Sequence, residues 1–353
     1  MLKKLTKIAV RARTSMTILA SAAVLCCGLP NTAQALQFNQ ISHVYFFGDS
    51  LTDSGFNNAI PSFPANKAPT FTTLGGYTWA QYLARDIKGF VLPVYPGPNP
   101  ADTITNNTTP TNGPGPVNPI LTGIDYAAGG SRTNAVGVIE PWAPSLHQQI
   151  ARFLSTSGPT LDPNAVYFIW SGANDILALI FAAPPIPTQL QLLIAANTAA
   201  NNIASEVALL SSRGAKRIVV LSLPNIGYTP LINGIGIPTL PAAMKTITFT
   251  FNSMLNQQLG SVIKQYGTKV LYVDVYDLLD NVIAATIAGQ PYVVAGQSFR
   301  FTNYTGEACY PQPSALTCTN PSNGFVFADG LHPTDMAHRL LSLEVETEIL
   351  NWN

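Results

Sequence analysis

Ser50 stands just past an apolar run, Val44-Tyr45-Phe46-Phe47, that Gly48 closes, while Asp329-Gly330-Leu331-His332 stands near the far end of the chain. A serine hydroxyl becomes a nucleophile when a base takes its proton, and histidine is the usual base near neutral pH. There are four histidines to choose from. His43 precedes the apolar run at the opposite end from Ser50, His147 sits among polar residues of an expected helix, and His338 lies inside the last expected helix as a surface or packing residue. His332 differs in having a carboxylate, Asp329, three residues ahead and Pro333 directly after. On a turn leading into a helix that Pro333 can begin, Asp329 can fix the imidazole tautomer and stabilise the imidazolium. D-x-x-H alone recurs by chance, and Asp329 could equally cap the last helix, so the pair draws its weight from what accompanies it.

Acyl transfer to a serine also requires donors for the oxyanion of the tetrahedral intermediate. The backbone N–H groups of Ser50 and Gly130 and the side-chain amide of Asn174 would supply three, each following a different expected strand. Glycine at 130 would let the backbone come close; taken singly, Gly129-Gly130 could be an ordinary turn and Asn174 a helix cap. Asp49 and Asp53, which flank Ser50, are expected to hydrogen-bond and cap the loop after it.

These residues need a frame that gathers them. Apolar strand patterns run through Val44–Gly48, Ala165–Ser171, Lys216–Pro224 and Thr268–Val275, with a shorter one opening "GIDYAAGGS" at Gly123. Helical spacing occupies Gly75–Ile87, Ser145–Leu154, about Gln189–Ser212, about Pro241–Tyr266 and about Pro333–Leu350. Alternation of strand and helix predicts one α/β domain with a mainly parallel sheet covered on both faces. In such a sheet the strand carboxyl ends share one edge, where ligands bind, and every residue singled out above follows a strand or the last crossover. Val94–Pro119, rich in Pro, Gly, Asn and Thr, reads as a long surface loop.

Together the motifs resemble the GDSL esterases and lipases, the SGNH hydrolases. "FGDSLTDSG" is similar to their first block, "DYAAGGSRT" to the second, "SGANDI" to the third and "ADGLHPT" to the last, in family order from Phe47 to Thr334. "LPNIGYTP", Leu223 to Pro230, resembles a further recurrent segment. The resemblance implies a flavodoxin-like three-layer α/β/α fold, Ser50 as nucleophile, Ser50, Gly130 and Asn174 as oxyanion donors, Asp329 as orienting acid, His332 as base, and no metal or organic cofactor. Arg300-Phe301 stands where relatives often carry Gly-Phe. The α/β-hydrolase elbow G-x-S-x-G is absent.

The chain's 353 residues are 47% hydrophobic and 10% charged, enough for a large core. Lys3, Lys4, Lys7, Arg11 and Arg13 precede an apolar stretch, Met16 to Leu29, and then Ala33-Gln34-Ala35, the three parts of a cleavable secretory signal. Residues 1–35 are therefore expected to be removed and 36–353 to form the hydrolase domain. The apolar stretch is shorter than the roughly 20 residues a membrane span needs, and its context fits neither a lipoprotein nor a twin-arginine signal. Thirteen basic and eighteen acidic residues would remain, a net charge of −5 with no basic stripe, which argues against a nucleic-acid partner. In an exported protein, Cys309 and Cys318 in a Pro-rich loop are expected to form a disulfide.

Substrate is the least legible feature. The full-length secreted bacterial members of the family include lysophospholipases, phospholipases A and acyltransferases, so the resemblance implies a lipid ester, with transient contact to a membrane or micelle surface. Gly289–Phe327 is expected to form a lid or acyl-pocket wall, and the apolar segment Asp175–Pro187 could add to it or be ordinary core. A carbohydrate acetylesterase with Trp79, Trp142 or Trp170 stacking on sugars, a lipid acyltransferase, and an exported binding protein on the same fold are the alternatives. The short stretch after His332 is expected to end the domain without a membrane barrel, the product being secreted or periplasmic.

Overall fold

Four of the apolar runs become parallel strands in the order of the sequence: β1 (Val44–Gly48), β2 (Val166–Trp170), β3 (Arg217–Leu221) and β4 (Lys269–Val273). The computed structural model describes residues 36–56, 70–73, 76–88, 124–138, 143–182, 187–312, 315–317 and 324–352. The expected signal segment 1–35, the loop 94–119, Trp142 and Cys318 lie outside the described residues. On the far side of β1 the "IDY" segment adds a parallel bridge, Phe46 to Asp125, with Phe46 N–H donating to Ile124 O at 2.9 Å and Tyr126 N–H to Phe46 O at 2.8 Å. The spatial order is thus the second segment, then β1, β2, β3 and β4, the flavodoxin-like arrangement whose switch point lies at β1.

Strand residues alternate between two cores, as a sheet buried on both faces requires. Phe47, Tyr167, Ile169, Ile218 and Val220 face one. Over them lie α2 (Leu146–Thr156), α3 (Ala173–Phe181), α4 (Gln189–Ser212) and α6 (Leu240–Tyr266), with the short α5 (Pro230–Gly234) beside them. Phe46, Phe168, Trp170, Val219 and Leu221 face the other, covered by α1 (Trp79–Lys88), α7 (Val275–Ile287) and α8 (Asp335–Leu350). The chain is an α/β protein with helices on both faces of a parallel sheet.

Local sequence sets the helix starts. Ser145 and Thr188 form capping boxes with Gln148 and Gln191, and the Thr334 hydroxyl accepts from Ala337 N–H at the head of α8. The expected helices all form, α4 with the expected bounds. Two were not anticipated, the short α5 and α7, which follows β4 directly, its N-cap Asp274 accepting from Asp277 N–H. Between α7 and α8 the chain makes a hairpin, β5 (Tyr292–Val294) with β6 (Gln297–Phe299), then β7 (Asn303–Glu307), which pairs in parallel with β10 (Phe325–Phe327), and a second hairpin of β8 (Tyr310–Gln312) with β9 (Ala315–Thr317). His338 is fully buried rather than at the surface. Its Nδ1 accepts from Trp79 N–H at 3.2 Å, the first residue of α1, and burial pushes its pKa down to about 3, so the imidazole is neutral.

The end of β1 tolerates no side chain. A Cβ at Gly48 would stand 2.1 Å from the Trp170 carbonyl oxygen on β2, a backbone atom fixed by the sheet, and φ is +155°. Gly48→Ala is expected to cost about 2–4 kcal/mol of stability in urea denaturation, combining overpacking with backbone strain; an unchanged midpoint would contradict this geometry.

Candidate active site

The chain leaves β1 in a tight turn. Thr52 and Asp53 N–H both donate to Asp49 O at 3.0 Å, and Leu51 N–H to Asp49 Oδ1 at 3.1 Å, which holds Ser50 over the sheet edge. From the other end of the sequence, the segment after β10 returns to the same edge. Ala328 N–H donates to His332 O at 2.8 Å and Thr334 N–H to Val326 O at 2.9 Å, closing the turn that presents His332. Asp329 Oδ1 accepts from Leu331 N–H at 2.8 Å and His332 N–H at 2.7 Å, so the backbone of its own turn locks this carboxylate.

Its other oxygen, Oδ2, lies 2.8 Å from His332 Nδ1, and His332 Nε2 lies 2.8 Å from Ser50 Oγ. With Nδ1–H donated to the carboxylate, Nε2 is left to accept the serine proton. Burial pushes the Asp329 carboxyl up, but the His332 charge and the hydrogen bonds from His332 and Leu331 outweigh it and hold the group below the usual carboxylate range. The Phe71 ring packs against the imidazole, 4.9 Å between centroids. Its neighbours are tied to the same turn: Thr72 Oγ1 donates to Pro333 O at 3.0 Å and Asp335 N–H to Thr73 Oγ1 at 3.1 Å.

Ala128 to Ser131 form a turn closed by Ser131 N–H to Ala128 O at 3.1 Å. Gly130 has φ +76° at the third position, where a type II turn calls for glycine. Gly129 N–H donates to Asp53 Oδ2 at 2.7 Å, whereas among the described residues the Gly130 and Ser50 N–H groups donate to nothing. Of the two glycines it is therefore Gly130 that retains a free donor. Asn174 is the second residue of α3, and its Nδ2 donates one proton to Ser131 O at 3.0 Å, which leaves the second. Gly172 lets the chain turn there, at φ +116° with a would-be Cβ 2.7 Å from the Phe251 ring.

The profile of the GDSL-like Lipase/Acylhydrolase family matches residues 44–345. The chain belongs to this family. Among its relatives, Esterase EstA of Pseudomonas aeruginosa is 29% identical over 340 residues, covering 91% of this chain and 48% of that protein. GDSL esterase/lipase EXL2 of Arabidopsis thaliana is 25% identical over 331 residues, covering 85% of this chain and 86% of that one. The chain spans about half the length of the bacterial relatives it matches. A solved member of the lipolytic protein G-D-S-L family from Veillonella parvula is 14% identical with a TM-score of 0.41, covering 86% of this chain and 96% of its own.

Several residues that hold this GDSL site together were given no role from sequence alone. Gln149, on the buried side of α2, accepts from Gly48 N–H at 2.9 Å and donates to Gly48 O at 2.8 Å and Ser131 Oγ at 3.0 Å, clamping the end of β1 to the glycine turn. Asp175, next to Asn174, accepts from Thr133 N–H at 2.9 Å and Thr133 Oγ1 at 2.8 Å. Asp125, fully buried, accepts from Ser54 and Ala127 N–H, both at 2.9 Å; burial, and then the nearby Asp53, push its pKa well up. Asp125 and Asp175 do stand inside the motifs "DYAAGGSRT" and "SGANDI", whereas Gln149 lies outside every motif.

Beside Ser50 opens a cleft of about 840 Å³, counted out to its mouth. Asp49, Ser50, Asn174 and Thr229 bring polar groups to it, and its other walls are apolar, including Phe301, Val326 and Phe327 of the segment expected to form a pocket wall. Among the described residues of Asp175–Pro187 none lines the cleft: Ile176, Leu177 and Ala178 of α3 are buried, the first two within the opposite core, and from this helix Ala173 and Asn174, just ahead of the segment, reach the cleft. Trp79 and Trp170 are 0% and 1% exposed and cannot stack on a sugar in solution. Arg300 donates to Gly289 O at 2.7 Å, pinning the hairpin to the end of α7. Cys309 is buried and disulfide-bonded.

Asp49 is wholly buried, and its Oδ2 is unpartnered among the described residues. Burial pushes its pKa up to about 7, against the bond from Leu51 N–H and the His332 charge. Between 3.8 and about 7 the folded protein keeps a proton that the unfolded chain has lost, so this group's contribution to stability falls as pH rises through that window. Asp49→Asn keeps the acceptor for Leu51 and removes the ionisation. Its gain in melting temperature over wild type is expected to reach several degrees at pH 8 and to be small at pH 5; the reverse order would contradict the assignment.

Proposed function

We propose that this protein is a serine ester hydrolase acting on lipid esters of the lysophospholipase, phospholipase A or lipase type. One observation carries the reading: an unbroken hydrogen-bonded chain from Ser50 Oγ through His332 to a half-buried, ionised Asp329 at the mouth of an apolar cleft. Family membership supports the same reaction class.

In this mechanism Ser50 Oγ attacks the ester carbonyl carbon as its proton passes to His332 Nε2. Negative charge gathers on the carbonyl oxygen, for which Ser50 N–H, Gly130 N–H and the second Asn174 amide proton are the donors at hand. Collapse expels the alcohol, which takes the proton back from Nε2 and leaves the acyl group on Ser50. Water then enters, gives its proton to His332, and releases the acid by the reverse path. Asp329 stays ionised throughout and stabilises the imidazolium through Nδ1–H, a role its lowered pKa suits.

The apolar lining favours a hydrocarbon acyl group over the sugar alternative, for which Trp79 and Trp170 offer no exposed platform. Acyl transfer to an alcohol instead of water would use the same residues. Export through residues 1–35 and a Cys309–Cys318 disulfide belong to the same reading, supported by the basic, apolar and A-x-A order of the leader and by the bonded state of Cys309.

A fluorophosphonate probe followed by peptide mapping is expected to place a single adduct on Ser50, absent in Ser50→Ala and greatly slowed in His332→Ala. Asp329→Asn is expected to lower kcat by roughly 10⁴-fold, as loss of the orienting acid does in other triads. Folded wild-type protein that takes no label would favour a binding protein on this fold. Turnover of short nitrophenyl esters without any of lysophosphatidylcholine would remove the phospholipid part of the proposal.

A further inference from the structure

We infer that the acyl chain lies between α7 and α8 in a blind slot, and that Val282 and Leu341 at its closed end limit the preferred ester to a medium-length chain of about eight to ten carbons. This rests on the ester-hydrolase reading and adds the acyl specificity to it.

The cleft takes one stripe from each helix. Val275, Leu278, Leu279 and Val282 follow the i, i+3, i+4, i+7 spacing of a single helix face, and Ala337, Leu340 and Leu341 do the same on α8. Both helices start at the reactive edge, α7 two residues after β4 and α8 three residues after His332, and both run away from it. Distance along them is therefore depth below Ser50.

Polar groups occur only at the open end, where Asp49, Ser50, Asn174 and Thr229 stand. Deeper in, the lining side chains are wholly apolar, so the slot offers nothing to a glycerol, a second ester or a sugar hydroxyl. It also stops. One turn beyond Leu341, Val345 is fully buried in the core and does not reach the slot, and Val294 and Phe299 of the β5–β6 hairpin fill the same core cluster without lining it.

Depth sets length. From Val275 to Val282 a helix advances about 10 Å, and an extended chain gains roughly 1.2 Å per bond, taking the peptide's extended repeat over its three bonds. About eight bonds fit. Each methylene that moves from water into the slot should raise kcat/KM roughly fourfold until the end is reached.

The test is a nitrophenyl ester series from acetate to palmitate on wild type, Val282→Phe and Leu341→Ala, with fluorophosphonate labelling of Ser50 in each. Wild type should climb from acetate, peak at octanoate or decanoate and fall for palmitate. Val282→Phe should lower the decanoate-to-butyrate ratio of kcat/KM at least tenfold. Leu341→Ala, which opens the end instead of closing it, should move the peak to longer chains, so one variant still reports if the other fails to fold. A flat wild-type profile, or the same peak in folded labelled variants, would overturn the slot while leaving the esterase standing. Absence of both label and turnover would overturn the esterase reading, and the slot with it.

Discussion

A single buried carboxylate, Asp53, joins the loop that carries Ser50 to the turn that carries Gly130. One of its oxygens accepts from Gly55 and Phe56 N–H, the other from Gly129 N–H. The two loops come from chain segments more than seventy residues apart. That bridge helps fix the separation of two backbone donors whose usefulness depends on fractions of an ångström. Gln149 does the same from the other side, holding the end of β1 against Ser131. The site is thus an assembly of backbone N–H groups held in register by buried polar side chains, and the named triad is its visible part.

The topology explains why these segments meet. Ser50 follows β1, Gly130 follows the bridge beside it, and Asn174 follows β2 on its other side. Successive connections from β1 depart in opposite directions across the sheet, which opens a crevice at the strand ends. The base reaches the same crevice only after the chain has crossed the sheet, formed two hairpins and turned back through β10. Its position depends on short-range bonds in the turn 328–334 and on Phe71, which packs on the imidazole from a loop early in the sequence.

What the sequence disclosed follows the range of the interactions involved. Strands β1 to β3 were legible because a strand buried on both faces is a continuous apolar run, β4 because its apolar run persists at the half-exposed edge, and α4 because its spacing is local. Ser50, Gly130, Asn174, Asp329 and His332 were legible as family motifs, and the structure brings all five to one edge. By contrast, Gln149 bonds to segments far away in sequence, so its helix pattern does not betray it, and Asp175 stood in a motif whose pattern does not disclose its partner, Thr133. Helix α7 escaped because its apolar stripe runs straight on from β4 with only Asp274 between, and with it went the actual wall of the cleft. The apolar segment at Asp175 could be read as pocket wall or as ordinary core, and Ile176 and Leu177 pack into the opposite core.

Helix α8 has two duties that are separable on paper and joined in the molecule. Its head, at Thr334 and Asp335, continues the turn that aims His332, while Ala337, Leu340 and Leu341 of its first two turns form a wall of the cleft. A ligand wedged against Leu340 and Leu341 therefore leans on the same rigid rod that carries the base at its tip. On the esterase reading, filling the cleft would restrain the imidazole's wandering as well as anchor the substrate. Hydrocarbon remote from the ester would then be felt in turnover and not only in affinity, a mechanical linkage that follows from placing binding wall and proton acceptor on one continuous element.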